Sequence, residues 1–398
     1  MSQNGCIADR SHEEKSNMKK IHCRLLLATF LIAGLAGLAC EGPDQPVYGP
    51  NHPDPNPTGM AAAQVESISP ETGYLRDVVT IHGSGFNEKP EFNLVLFGDK
   101  KAEVVSVTPT ELKVLAPNKS DETVNVRVAI KGSEFWSNEA EFTFLPTTAV
   151  LDEEINWPNG VAVDDEGNVY VGSANEGIIY RITPDGTKSP FAEVAVNGSI
   201  HFGPNKYLYV CAKGENKIVR ISPDGGTVED VIEVDAPNDF TWDANHNMYI
   251  VSEGIGIYKV VDNEPVLMAE FGSGKNVRVF GDRIYANDIW EGKILSFAIT
   301  AEGLGEGEVF LETESPSTLE FDTEGTLYYA QAWETSLYTL TRDGGEEVLY
   351  EGELMTPMRY SAFKGKYIYL VYPGWADIGA VMRVYIGVEG APEYGVTP

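Results

Sequence analysis

The sequence predicts an all-β protein: an immunoglobulin-like sandwich over residues 64–146, then a six-bladed β-propeller over residues 147–390. Two observations predict it. Between residues 65 and 145 short alternating strands recur with turn signals between them, the spacing of a small sandwich. Beyond residue 150 one unit repeats six times, each copy 38 to 41 residues after the last, and units of that length build a propeller.

In chain order, the first element is an address. From Met18 the chain runs MKKIHCRLLLATFLIAGLAGLAC, with Lys19, Lys20 and Arg24 ahead of an apolar run from Leu25 to Leu38. The run is short and ends in small residues, a signal peptide rather than a membrane span. It closes on Gly37-Leu38-Ala39-Cys40, which resembles the lipobox of bacterial lipoproteins, although Gly37 and Leu38 depart from the usual pair. That resemblance implies a signal peptide over residues 1–40 ending at Cys40, which becomes the lipidated first residue, and the polar residues before Met18 point to translation starting at Met18. It implies a cell-envelope location, on an outer membrane facing periplasm or exterior. Residues 41–63 follow as a linker with prolines at 43, 46, 50, 53, 55 and 57, extended and unable to pack.

The sandwich strands read as Val78 to Ile81, Leu94 to Phe97, Val104 to Val107, Leu112 to Leu115, Val124 to Ala129 and Phe142 to Phe144. The segment VESISPETGYLRDVVTIHGSGF, continuing into NLVLFGDKKAEVVSVTPTELKVLAP, resembles the IPT/TIG domains. The resemblance implies a non-enzymatic spacer or adhesion module. His82 reads as a surface residue.

In the propeller, aligning the copies WPNGVAVDDEGNVYV, VNGSIHFGPNKYLYV, APNDFTWDANHNMYI, GKNVRVFGDRIYA, SPSTLEFDTEGTLYY and TPMRYSAFKGKYIYL brings Asn159, Asn197, Asn238, Asn276, Ser317 and Met358 into register. Each unit then gives a turn, a second strand, a third strand and an outer strand. The segment TAVLDEE at 148–154 has the outer-strand pattern but precedes the first unit, so it is expected to complete the last blade and close the ring. Four asparagines are thereby expected around one mouth of the channel. Their amides suit a cation, waters or a sugar hydroxyl. Strict alternation points Asp239 away from the face carrying Asn238.

Residues 150–386 resemble the NHL-repeat propellers and the SMP-30/gluconolactonase/luciferin-regenerating family. The lactonase resemblance implies a channel cation held by a first-blade glutamate, a fourth-blade asparagine and a fifth-blade aspartate that is also the base, with a third-blade asparagine facing substrate. Asn238 and Asn276 match the two asparagines and are the weak metal candidates, for calcium at most. Asn159 and Ser317 stand where the carboxylates belong, and calcium affinity tracks carboxylate count. The expectation is therefore no cofactor, no catalytic residue and a protein leaning away from enzymatic function. His82, His201 and His246 lie near no evident nucleophile, and Cys211, in an apolar run, reads as a core thiol.

Rim loops after the second strands carry Lys213, Glu253, Asn287, Asp288, Trp290, Gln331, Trp333, Tyr372 and Trp375. Loop tryptophans serve either ligand contact or packing between blades. Acidic residues outnumber basic ones 60 to 29, a net charge of −31, which opposes nucleic acid as a partner. Three functions remain open: a lipid-anchored protein binding a glycan or peptide through Asn159, Asn197, Asn238, Asn276, Asp288, Trp290, Gln331 and Trp333; a divergent metal-dependent lactonase; or an architectural module contacting envelope proteins.

Overall fold

The computed structural model describes residue 54, residues 56–374 and residues 378–395. The expected signal peptide, Cys40 and Trp375 lie outside the described residues. Those residues form strands joined by turns and short 3₁₀ segments.

The N-terminal sheet has eight strands. The long strand Lys100–Thr108 carries a register shift between Val104 and Ser106 as it pairs with Glu111–Leu115, and it also pairs with Asn93–Phe97. Such a bulge bends a strand, letting the one sheet fold over itself into two faces. Between them Val79, Ile81, Leu112 and Val126 are fully buried, and Phe97, Phe142 and Phe144 meet edge to face at 4.9 to 5.9 Å. The turn in TIHGSGF needs its first glycine: a Cβ on Gly83 would fall 1.9 Å from the Gln64 carbonyl oxygen.

The C-terminal part is a six-bladed propeller, as the repeat spacing predicts. Inner strands are Pro158–Val163, Ile200–Phe202, Pro237–Trp242, Gly274–Phe280, Glu320–Phe321 and Tyr360–Lys364. We number the blades one to six in that order. The outer strand of blade six is Thr148–Asn156, antiparallel to Ile378–Tyr385, so the first and last propeller segments share a sheet. Side chains alternate between neighbours, as a pleated strand requires. Val161 and Val163 pack with blade six, whereas Ala162 and Tyr170 pack with blade two. Inner and second strands are thus apolar on both faces, and only the outer strands show a solvated side.

The repeated turn after the inner strand is built around one aspartate. Asp164, Asp243 and Asp322 each accept two backbone N–H groups of the turn with one oxygen and a tyrosine hydroxyl with the other, from Tyr170, Tyr249 and Tyr328. Each Asx turn therefore fixes the hairpin and satisfies a tyrosine hydroxyl at once. Burial beside these carboxylates pushes the Tyr170 hydroxyl up to about 12.

Sandwich and propeller touch through aromatic residues. Tyr74 stacks on Tyr385 of blade six at 4.0 Å, and the Tyr385 hydroxyl donates to Asp77 Oδ1 at 3.1 Å. Arg76 pairs with Glu347 at 2.9 Å.

Candidate functional site

The hub has two levels. At the mouth stand the aligned asparagines. Asn159, Asn238 and Asn276 lie within inner strands, and Asn197 and Ser317 lie just before theirs. In blades one, three and four the register with the second strand shifts at this point, between Asn159 and Val161, Pro237 and Asp239, and Gly274 and Val277. A bulge re-aims the residue beside it. Both Asn238 and Asp239 consequently serve the hub, which corrects the expectation from strict alternation that Asp239 turns away.

Asn238 is buried and bridges blades, donating through Nδ2 to the Gly274 carbonyl at 2.8 Å. Its Oδ1 accepts from Lys213 Nζ at 3.0 Å. Lys213 also pairs with Glu253, and that ammonium holds the Glu253 carboxyl below its usual range. Asn276 is buried; its Oδ1 accepts from Asn287 Nδ2 at 3.0 Å, while its own Nδ2 has no hydrogen-bond partner. Asn287 in turn accepts the Asn276 backbone N–H at 2.7 Å and donates to the Pro316 carbonyl. Beside them Lys275 is pushed down to about 8, chiefly by burial and then by Lys213 and Arg359, against the pull of Glu253. The Arg359 guanidinium lies 5.7 Å from the centre of the Trp157 ring. The mouth is thus amide-lined and cationic, where neutral amides were expected.

Beneath it a chain of polar groups joins five consecutive blades. His201 Nε2 lies 2.7 Å from Asp239 Oδ1. Asp239 Oδ2 accepts from Arg278 Nη1 at 2.7 Å and from the Val277 backbone N–H at 3.1 Å. Arg278 grips Glu320 with Nε and Nη2 at 3.1 and 2.8 Å, and the Ser361 hydroxyl donates to Glu320 at 2.8 Å. Burial opposes ionisation of Asp239, but Arg278 and His201 outweigh it and hold the carboxyl well below the usual range. Such fully paired charges organise a core, and both Asp239 and Glu320 are committed to their partners within it. Sequence reasoning passed over Arg278 and Glu320. The available signal was a charge inside otherwise apolar inner strands, VRVF and TLEF.

The opposite end of the channel is covered by the C-terminal segment. Ala391 donates its N–H to the Phe321 carbonyl in blade five at 2.8 Å, Tyr394 packs on the cores of blades three and four, and Gly395 lies against Trp242 in blade three. Under this strap remains a cavity of about 40 Å³ lined by His201, Phe240, Arg278, Glu320 and Glu393, too small for a sugar ring.

The other expected site residues separate into two groups. Asp288 is buried and spent on its own turn, accepting from the Ser273 hydroxyl and the Glu291 N–H, so it is withdrawn from the mouth. The Gln331 amide is already engaged, donating to Thr313 at 3.2 Å. Trp290 and Trp333 are 77% and 60% exposed, which excludes packing between blades as their main role. Cys211 is fully buried, and burial pushes its thiol well up, as a core thiol requires.

A divalent cation of the lactonase kind does not fit these residues. Asn159 and Ser317 are neutral, Ser317 directs its hydroxyl to the Ala330 carbonyl at 3.4 Å, and Lys213, Lys275 and Arg359 add positive charge around the same mouth. Among the described residues no three histidine, cysteine, aspartate or glutamate side chains gather as metal ligands.

Residues 63–144 match the IPT/TIG domain family. A search of the curated proteins finds no match. Among solved structures, the chain is similar to a gluconolactonase from Xanthomonas campestris at 13% identity, covering 60% of this chain and 89% of that one with a TM-score of 0.53. It is similar to regucalcin, a calcium-binding protein from Agrobacterium tumefaciens, at 16% identity, covering 61% and 95% with a TM-score of 0.53. A structural genomics protein of unknown function from Bacteroides thetaiotaomicron matches at 15% identity over 83% of this chain and 99% of that one, with a TM-score of 0.51. At these identities the likeness is one of fold: a six-bladed propeller like that of the gluconolactonases, here preceded by an IPT/TIG domain.

Proposed function

We propose that this chain is a non-catalytic binding protein that takes a glycan at the propeller mouth and is held at the cell envelope by a lipid on Cys40. The observation that carries the binding reading is the division of labour in the hub. The lower acids are consumed by Arg278, His201 and Ser361, while the amides of Asn159 and Asn197 stand at the mouth and Trp290 and Trp333 lie exposed on the loops after the second strands of blades four and five. Amides hydrogen-bond hydroxyls in both directions, and flat aromatic faces receive sugar rings. The sandwich serves as a spacer between anchor and propeller, and the NHL-repeat kinship belongs to the same reading.

The test is calorimetry of the full chain against a panel of neutral and charged oligosaccharides, with peptides run alongside. A saccharide that binds, with affinity falling at least tenfold in Asn238→Ala and in Trp290→Ala, supports the reading. Peptide binding alone, or no binding with retained capture of envelope proteins, replaces it. Lactone turnover that disappears in Asn276→Ala establishes the hydrolase instead. Radiolabelled palmitate should be incorporated by the wild type and not by Cys40→Ser.

A further inference from the structure

We propose that the saccharide taken by this mouth is acidic, a uronic acid whose carboxylate is held among Lys213, Lys275 and Arg359; this rests on the glycan-binding reading above. Three observations converge on it. The first is the placement of charge. Lys213 follows the second strand of blade two, Lys275 precedes Asn276 in blade four, and Arg359 follows Met358 in blade six. Every second blade thus delivers one cation to the same opening, on a chain whose net charge is −31. Glu253, the carboxylate facing them, is already engaged by Lys213.

The second observation is the cost of the arrangement. Buried like charges repel, and a fold retains an uncompensated cation where something outside the chain completes it. Lys275 bears this cost: burial and two neighbouring cations together outweigh the single glutamate and weaken its hold on a proton. The third is an orphan donor. Asn276 is 1% exposed with Nδ2 unpartnered, adjacent in sequence to Lys275, and a buried donor without an acceptor is expensive. A carboxylate supplies what the cluster lacks, namely negative charge and acceptor lone pairs, and a guanidinium fits it in a bidentate fork. The amides of Asn159 and Asn197 remain for the hydroxyls of the ring, while that of Asn238 is already held by Gly274 and Lys213.

The groups acting on Lys275 are Lys213, Arg359 and Glu253. A bound carboxylate favours the protonated form of Lys275, so affinity falls as pH rises above about 8. Screening by salt weakens the same interaction.

The experiment is calorimetry of the full chain with galacturonate and glucuronate oligomers, their neutral galactose and glucose counterparts, and glutarate. Expected are uronate affinities at least tenfold above those of the neutral sugars, a loss of at least tenfold in Lys275→Met and in Arg359→Met, retention in Lys275→Arg, and a decline from pH 7 to 9. Lys275→Met should melt higher than wild type, which separates lost binding from lost fold. Neutral sugars binding as tightly as uronates, or uronate affinity unchanged in both Met variants, overturns the inference while the glycan-binding reading stands. Glutarate binding as tightly as the uronates overturns the saccharide assignment, and no saccharide binding at all overturns both readings.

Discussion

Asp239 is fully buried and lies between a guanidinium and an imidazole. Asp239→Asn removes one partner of a buried pair and leaves Arg278 with Glu320 alone, a change of about 3 kcal/mol in stability, measurable by urea denaturation. The sign of the pH effect follows from the depressed folded-state value. Its stabilisation is present above the unfolded value of about 4 and is lost as pH falls below it. Acid unfolding of Asp239→Asn should therefore be shallower than that of the wild type below about pH 4. The asparagine register at the mouth was legible in the sequence because six copies could be laid over one another. The charged chain beneath it was not, because a bulge at the aligned position breaks the period-two rule on which facing was judged. Lys275 and Arg359 were passed over for a related reason: each is a chain neighbour of an aligned position, and alternation assigns neighbours to opposite faces.

At the scale of the element, the repeated hairpin shows why these sequences repeat at all. One aspartate both caps the turn and satisfies a tyrosine carried on the second strand, so aspartate, turn and tyrosine recur together at a fixed spacing. Asp322 is 1% exposed, and Asp322→Ala strands two turn N–H groups and the Tyr328 hydroxyl. A loss of about 2–3 kcal/mol is expected, read as a lowered urea midpoint with an unchanged slope. Asp164→Ala, in a shallower copy of the same turn, should cost less. Blade count and strand order were readable from this periodicity. The withdrawal of Asp288 into its own turn was not, since a polar residue in a loop looks the same in sequence whether it faces a ligand or caps a bend.

The whole molecule joins two β structures through Tyr74, Asp77 and Tyr385, with Arg76 and Glu347 at the rim. Tyr385 also lies in the strand that pairs with Thr148–Asn156, so the aromatic contact reaches the sheet in which the ring is completed. Tyr74→Ala should loosen this joint, and calorimetric unfolding should then resolve into two transitions where the wild type shows closer coupling. The net charge of −31 acts at this scale as well. It repels polyanions from most of the surface, so the proposed acidic ligand would have to be drawn in by the local cations of the mouth against the charge of the whole chain.

The strap formed by residues 390–395 gives the propeller a floor. A hub open at one end only is a cup and not a pipe: nothing threads through it, and whatever enters must leave by the way it came. On the proposed glycan-binding reading, a polymer would lower a terminus or a short side branch into the cup while the remainder trails outward, so that reading predicts recognition of chain ends in preference to chain interiors.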